Sequence, residues 1–264
     1  MTAKSLKIAI IGGGPAGFFS AIHAAESCPS AQVDLIEGTQ RPLTKVLISG
    51  GGRCNVTHHC FEPKQLVQFY PRGSRELIGP FHSFQPRDTE AWFARHGVTL
   101  KVESDGRMFP VTDSSRTIAD CLRDAASKAG VHLKLGKIVR HIARDAAGSF
   151  FLTFKADDVA TYDRVLLATG SSPAGHQLAA SLGHRIVDPV PSLFTFEISH
   201  PLLQDMAGQS FLDVRADLAW NGVRSSYSQR GPLLITHWGL SGPAVLKLSA
   251  FAARELHDHH YQGQ

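Results

Sequence analysis

The chain has 264 residues, of which 43% are hydrophobic and 19% are charged. These values are typical of a soluble globular protein with one large domain, or one domain with a smaller attachment. The net charge of +4 comes from dispersed Lys and Arg residues, which argues against nucleic-acid binding. No uninterrupted apolar run reaches the roughly 18 residues of a membrane span, and four cysteines without C-x-x-C spacing predict a reducing cytoplasm.

The N-terminal segment predicts a strand–helix–strand unit. The run "LKIAIIGG" is typical of a buried parallel strand, "PAGFFSAIHAAES" of a helix, and "AQVDLIEG" of a second strand. The turn between the first strand and the helix contains the pattern G-x-G-x-x-G, and Glu37 ends the second strand. This context favours a dinucleotide site over an unrelated glycine-rich turn.

Each residue of this fingerprint has a physical task. Gly12 permits the tight turn, Gly14 lets the backbone approach a pyrophosphate, and Gly17 lets helix and strand pack closely. Free N–H groups at the helix N-terminus favour the phosphates. Glu37 can accept hydrogen bonds from an adenosine ribose and would repel a 2′-phosphate, so we expect FAD or NAD rather than NADP at this site.

Downstream, the sequence predicts an α/β arrangement of helices and strands, followed by a segment of shorter strands and turns. Residues 41–60 are predicted to be a long glycine-rich loop. Helices are expected near 62–70 and 87–96, in "TDSSRTIADCLRDAASKAG", and in "GHQLAASLGH"; strands are expected in "VTLKVES", "VHLKL", "KIVRHIA", "SFFLTFK" and "DRVLLATG". Beyond "DPVPSLFTF", shorter strands and turns lead to a helix capped by Ser241, which places a soft boundary near Val190.

Two of these segments supply further candidate cofactor contacts. The run "DRVLLATG" predicts a buried strand whose end, at Thr169 and Gly170, brings backbone close to a bound dinucleotide. The backbone of Val139 could meet an adenine edge, or Val139 could be a plain buried valine.

The segment "LISGGGRCNVTHHC" admits several interpretations. Consecutive glycine N–H groups around Gly50 and Gly51 can form an anion nest, with Arg53 adding positive charge unless it forms a structural salt bridge. The four candidate metal ligands at positions 54, 58, 59 and 60 are crowded, which argues against zinc. The C-x5-C spacing of Cys54 and Cys60 also disfavours a redox thiol pair, although Cys54 could adjoin a flavin.

With the pattern "KVLISGGGRCNVT", the chain resembles the bacterial FAD-dependent oxidoreductases of the aminoacetone-oxidase, YhiN-like or BaiN-like family. The matching segments span positions 8 to 249 and are, in order, "IAIIGGGPAG", "LISGGGRCNVT", "GRMFPVTDSS", "LLATG", "LGHRIVDPVPSL" and "THWGLSGPAVLKLS". The stretch after "LLATG" is shorter than is usual in the family.

This resemblance implies FAD bound to a Rossmann-like three-layer domain with a largely β insert domain. By position it implies FAD contacts for Gly12, Ala16, Gly17, Glu37, Lys45, Gly51 and Val139. With the candidates from the residues themselves, the predicted cofactor site also contains Gly14, Gly50, Arg53, Cys54, Thr169 and Gly170. No catalytic acid or base and no metal ligand is assigned.

The predicted organisation is an α/β fold with an FAD-binding Rossmann-like domain over 1–190 and a partial, mainly β insert domain over 191–264. The family's C-terminal return to the FAD domain is expected to be absent, and the exposed sheet surface predicts self-association. The leading hypothesis is an FAD-dependent oxidoreductase that transfers hydride between flavin and a small organic substrate or a nicotinamide, with NAD(P)H as candidate donor. The alternatives are a non-catalytic or decayed dinucleotide-binding protein and an NAD-only dehydrogenase.

Overall fold

The computed structural model describes residues 5–220 and 223–262. Within these residues the chain divides into two compact units. The first unit comprises the described residues of Met1–Leu66 and Ile78–Val187, and the second comprises those of Val67–Leu77 and Asp188–Gln264. The second unit therefore combines two separate stretches of the chain, whereas the sequence predicts a single boundary near Val190.

Helices and strands alternate along the described chain. The helices are α1 (Pro15–Ser27), α2 (Thr44–Ile48), α3 (Pro63–Leu66), α4 (Ser74–Ser83), α5 (Pro86–Arg95), α6 (Ser115–Lys128), α7 (Pro173–Ser181), α8 (Pro243–Phe251) and α9 (Ala253–Asp258). The strands are β1 (Lys7–Ile11), β2 (Gln32–Ile36), β3 (Thr57–His58), β4 (Leu100–Val102), β5 (Arg107–Pro110), β6 (His132–Lys134), β7 (Val139–Arg144), β8 (Phe150–Phe154), β9 (Val159–Tyr162), β10 (Arg164–Leu167), β11 (Phe196–Glu197), β12 (Ser210–Trp220), β13 (Val223–Thr236) and β14 (Gly239–Ser241). In the part of the chain that is described, no helix is both long and apolar enough to cross a membrane.

A parallel sheet with the strand order β10-β1-β2-β6 forms the centre of the first unit. Successive side chains of a strand point to opposite faces, so the apolar strands β1 and β2 contribute side chains to two hydrophobic cores, one on each face of the sheet. Ile10 and Leu35 face one core with α1 and α6, whereas Ala9, Ile11 and Ile36 face the other.

The second face is covered by the antiparallel sheet β7-β8-β9 and by α7. Helices, parallel sheet and antiparallel sheet thus form three layers. This arrangement confirms the predicted Rossmann-like α/β fold with a mainly β second unit.

Several predicted elements differ from the structure. The segment 41–60 is not a continuous loop, because α2 and a 3-10 turn at Ser49–Gly52 lie within it. Burial of Leu43 and Val46 in the α1–α6 core stabilises this short helix against its weak local propensity. The strand predicted as buried in "DRVLLATG" is β10, at the sheet edge, where Leu166 is 41% exposed.

Other elements gave too weak a pattern to be predicted. Helix α4 contains Pro80 and has no buried residue, and β5 and β9 are only a few residues long. Strands β5 and β9 form because neighbouring strands pair with them, which local propensity does not report.

The second unit is built on an antiparallel sheet in the order β11-β14-β13-β12, covered by α8. Strands β12 and β13 are long rather than short as predicted. Ser241 ends β14 and does not cap α8; the N-cap is Gly242, at a φ of 97°. A Cβ there would lie 2.9 Å from the Pro232 carbonyl oxygen, so both the angle and the space require glycine.

A buried carboxylate ties three strands of the first unit together. Asp34 on β2 is 1% exposed. It accepts hydrogen bonds from the Tyr162 hydroxyl at 2.7 Å and the Lys134 ammonium at 2.6 Å, and its Oδ1 lies 3.2 Å from His132 Nδ1. Burial alone would raise the pKa of Asp34, but these hydrogen bonds outweigh burial and lower it.

We predict that Asp34→Asn lowers the free energy of unfolding by about 2–3 kcal/mol at neutral pH, because charge-assisted bonds to a buried acceptor are lost. Asp158→Asn, which breaks the exposed ion pair with Lys137, is the control and should cost at most about 1 kcal/mol. Urea unfolding measures both values.

Since the folded pKa of Asp34 is lowered, its contribution to the free energy of unfolding is present above the unfolded pKa of 3.8 and is lost as the pH falls through the folded pKa. Equal losses for both variants would contradict this role for Asp34.

Candidate functional site

The turn between β1 and α1 is shaped by two glycines that leave no room for a side chain. Gly12 has a φ of 119°, and a Cβ on it would overlap the Ala168 carbonyl oxygen that follows β10. A Cβ on Gly17 would overlap the Gly12 carbonyl oxygen and lie 3.3 Å from Leu35 Cδ1. The structure therefore places Gly12 at the tight turn and Gly17 at the helix–strand contact, as the fingerprint predicts.

Gly14 differs from both, because a Cβ on it would meet nothing within 4 Å. It is the N-cap of α1 in an extended conformation, and no side chain caps the helix. The first backbone bond within the helix runs from the Phe18 N–H to the Gly14 carbonyl at 3.0 Å. The N–H groups of Ala16 and Gly17 precede that bond, so the open N-terminus can donate to an anion.

Glu37 is held beside this turn by two backbone groups. Its Oε2 accepts from the Gly13 N–H at 2.7 Å, and its Oε1 accepts from the Thr39 N–H at 2.8 Å. A carboxylate has about four acceptor positions, so both oxygens can still accept a further hydrogen bond. The half-buried Glu37 is thus oriented before any ligand binds.

We call the β1–α1 turn, the first turn of α1 and Glu37 the cradle; Lys45 and the turn after β10 lie beside it. The Lys45 ammonium donates to the Ser171 hydroxyl at 3.2 Å, and a Cβ on Gly170 would lie 3.9 Å from that ammonium. Thr169 turns its hydroxyl toward Gly175 of α7, where a Cβ would collide with it. The structure therefore brings four predicted residues together at the carboxyl ends of β1 and β10: Gly12, Lys45, Thr169 and Gly170.

The triple glycine after α2 has a backbone that disfavours other residues. Gly50, Gly51 and Gly52 have φ values of 56°, 68° and 84°. A Cβ on Gly50 would lie 2.8 Å from the Asn55 backbone nitrogen, whereas Gly51 has open space beside it. Gly51 is thus free for the close approach of a ligand.

Arg53 is committed to neighbours within the first unit. Its guanidinium donates to Glu103 at 3.0 Å and to Asp113 at 3.3 Å, and it lies over the Phe109 ring at 4.1 Å. These contacts favour the structural alternative for Arg53 over a free charge beside a cofactor. The sequence could not reveal them, because both carboxylates lie far away along the chain.

Cys54 is 6% exposed and has a φ of 62°, which is unusual for a residue other than glycine. Burial raises the pKa of its thiol, so it stays protonated near neutral pH and is a poor nucleophile. Cys54 and Cys60 are both free thiols. Across the described ranges, no cluster of three or more His, Cys, Asp or Glu side chains is placed to hold a metal ion.

Val139 starts β7 near Glu37, but its side chain is buried with Ile36 and Ile142 in the second core. A backbone hydrogen bond holds the segment before β7 beside Glu37, since the Lys137 N–H donates to the Glu37 carbonyl at 3.0 Å. The side chain of Val139 is therefore a core residue, and a contact of its backbone with adenine remains a prediction.

An apolar cavity of about 450 Å³ opens beside the cradle and was not predicted. Ala16 and Lys45 line it together with Cys54 and Asn55. Much of the rest of its wall is apolar and includes Phe19, Val46, Phe84, Phe93, Ile118 and Leu122. These residues come from several distant segments, so only the folded chain brings them together.

Residues 6–249 match the HI0933-like protein Rossmann domain family, and the chain belongs to this family. The predicted resemblance is therefore confirmed. The chain is 31% identical over 253 residues to the ribosomal RNA dihydrouridine synthase of Escherichia coli, covering 92% of this chain and 60% of the relative. It is 29% identical over 262 residues to the 3-dehydro-bile acid delta(4,6)-reductase of Clostridium scindens, covering 96% and 62%.

The chain thus spans about 60% of the length of the curated relatives it matches. Among solved structures, it is similar to that of Thermovibrio ammonificans THI4, with a TM-score of 0.46 and 14% identity. That similarity covers 69% of this chain and 64% of the other.

Gly14→Ala and Gly17→Ala should separate binding from folding. We expect Gly14→Ala to keep the wild-type stability but to bind FAD about tenfold more weakly, since its Cβ occupies the space open to a phosphate. Gly17→Ala should instead lower the free energy of unfolding by more than about 1 kcal/mol, because helix and strand must separate.

Urea unfolding and FAD titration measure these effects, with Gly79→Ala on α4 as the control, where a Cβ also meets nothing within 4 Å. Undiminished FAD binding by Gly14→Ala would show that no phosphate lies against this turn.

Proposed function

We propose that this protein is an FAD-dependent reductase that saturates a carbon–carbon double bond conjugated to a carbonyl group, with NAD(P)H as electron donor. The observation that carries the cofactor assignment is the arrangement of the open α1 N-terminus, Gly14 and the oriented carboxylate of Glu37. The reaction class is supported by the printed names of two relatives.

The residues of the cradle fit an adenine dinucleotide. The N–H groups of the first turn of α1 are suited to a pyrophosphate, and the oxygens of Glu37 to the adenosine ribose hydroxyls. Lys45 adds a positive charge at the same edge of the sheet. Bound FAD would supply a two-electron carrier that accepts and delivers hydride.

The two relatives are named for different substrates but for the same change in bonding. Dihydrouridine is uridine whose ring C=C bond, conjugated to a ring carbonyl, carries two more hydrogens. A delta(4,6)-reductase of a 3-dehydro bile acid removes C=C bonds conjugated to the 3-ketone. For the C=C bond next to the carbonyl, hydride adds at the β-carbon and a proton at the α-carbon; a C=C bond further along the conjugated system takes up hydride and a proton at its own two carbons. Oxidation of one NAD(P)H to NAD(P)⁺ supplies the two electrons for each bond.

We further propose a small organic substrate rather than RNA. The dispersed positive charge and the apolar cavity beside the cradle support this choice. The relative named for ribosomal RNA makes RNA the second candidate. Four free thiols suit a reducing cytoplasm, which we propose as the location, and self-association is retained as a proposal.

The test is reconstitution of the purified protein with FAD, followed by turnover under anaerobic conditions. We expect bound flavin absorbance and NAD(P)H-dependent loss of the absorbance of a conjugated cyclic enone. Ribosomal RNA fragments provide the competing substrate. Absence of bound flavin would contradict the cofactor assignment, and flavin binding without reduction of any conjugated substrate would contradict the reaction class.

Glu37→Gln should weaken FAD binding about tenfold, because it replaces a charged acceptor by a neutral amide. Glu26→Gln, at an exposed position on α1, is the matched control and should bind FAD as the wild type does. Fluorescence titration of FAD measures both, and equal affinities for all three proteins would contradict the role of Glu37.

A further inference from the structure

The antiparallel sheet of the second unit has an open edge at β12. Among the strands of the described residues, β12 pairs only with β13. Irregularities interrupt that pairing between Phe211 and Val214 and between Asp217 and Ala219, and the register is regular from Val214 to Asp217. A regular edge presents unpaired backbone N–H and C=O groups, with which another strand can pair.

Open space runs along this edge. A cavity of about 1130 Å³ is lined by every residue from Val214 to Leu218. Since successive side chains of a strand point to opposite faces, a wall of consecutive residues follows the edge of the strand rather than one face of it. Phe211 and Leu212 of the same strand are 43% and 85% exposed. The edge of β12 is therefore accessible and partly apolar, which favours pairing with another strand.

The two faces of β12 differ in chemistry. Val214, Ala216 and Leu218 face the apolar cores to which α8 contributes. Arg215 and Asp217 lie on the opposite face, where the Arg215 Nε donates to the Asp217 carboxylate at 3.0 Å. The two terminal nitrogens of Arg215 have no partner among the residues that the structure describes, and its side chain is 62% exposed.

Charge selects the register in which two copies of this edge can pair antiparallel. With a two-fold axis at Ala216, Arg215 of each copy stands opposite Asp217 of the other, and Val214 stands opposite Leu218. With the axis at Arg215, two like charges would stand directly opposite each other, which destabilises a pair. With the axis at Val214, the pairing would run into the irregular part of the strand.

We propose that two copies of the chain form a dimer by pairing their β12 edges about a two-fold axis at Ala216. This inference names the surface for the self-association proposed above, and it does not depend on the cofactor. The dimer pairs the open backbone groups and brings the two apolar rows side by side. On the other face, Arg215 and Asp217 of both copies form a cluster of four alternating charges, in which the terminal nitrogens of Arg215 gain a partner.

The experiment measures the oligomeric state of the full chain by sedimentation velocity. We expect the wild type to dimerise, and Arg215→Asp and Asp217→Arg each to weaken dimerisation at least about tenfold, because like charges then stand opposite each other twice. Lys247→Glu, at an exposed position on α8, changes the net charge as much as Arg215→Asp does and is the matched control. It should dimerise as the wild type does.

Mixing the two charge variants separates a lost interface from a lost fold. An equimolar mixture of Arg215→Asp and Asp217→Arg should form a heterodimer, because the acidic pair of one chain then faces the basic pair of the other. The axis also places the two copies of Ala216 opposite each other, so Ala216→Cys should cross-link to itself on oxidation. The wild type controls for the four native free cysteines.

Four results would overturn the inference. These are a monomeric wild type, dimers retained by both charge variants, a mixture of the variants that does not associate, and an Ala216→Cys dimer that does not cross-link. Titration of the same samples with FAD tests the cofactor assignment separately. Failure of FAD to bind would contradict the proposed function and would still leave the dimer tested.

Discussion

The contact between the backbone of Gly17 and the carbonyl of Gly12 is the constraint on which the candidate site depends. It lets α1 lie directly against the strands, since any Cβ at Gly17 would overlap that oxygen. The helix N-terminus is thereby set beside the ends of β1 and β2. Gly13 can then donate to Glu37, so one close packing contact orients both the N–H groups that we propose for the phosphates and the carboxylate that we propose for the ribose.

A second backbone bond joins the cradle to the cavity. The Leu43 N–H donates to the Gly13 carbonyl at 2.8 Å, and the buried Leu43 side chain anchors α2 to the core. Lys45 and the triple glycine follow directly along the chain. Ala16 and Lys45, two candidate cofactor residues, also line the apolar cavity, so the cradle and the cavity adjoin.

Much of the fold and of the cradle could be predicted from sequence, because both depend on local pattern. The β1–α1–β2 unit, the roles of Gly12 and Gly17, and the placement of Glu37 follow from spacing. Arg53 could not be read in this way, since its partners Glu103 and Asp113 are brought to it by folding. Helix α2 and the edge position of β10 likewise depend on tertiary contacts, and the cavity is assembled from segments that no local pattern relates.

We propose that the first unit recognises the adenosine diphosphate half of FAD through the α1 N-terminus and Glu37. The most direct measurement is isothermal titration of the flavin-free protein with FAD and with FMN, which carries the same flavin ring without the adenosine. We expect FAD to bind at least about a hundredfold more tightly than FMN, because the ribose and pyrophosphate contacts each contribute. Equal affinities would show that the cradle does not hold the dinucleotide and would contradict the account.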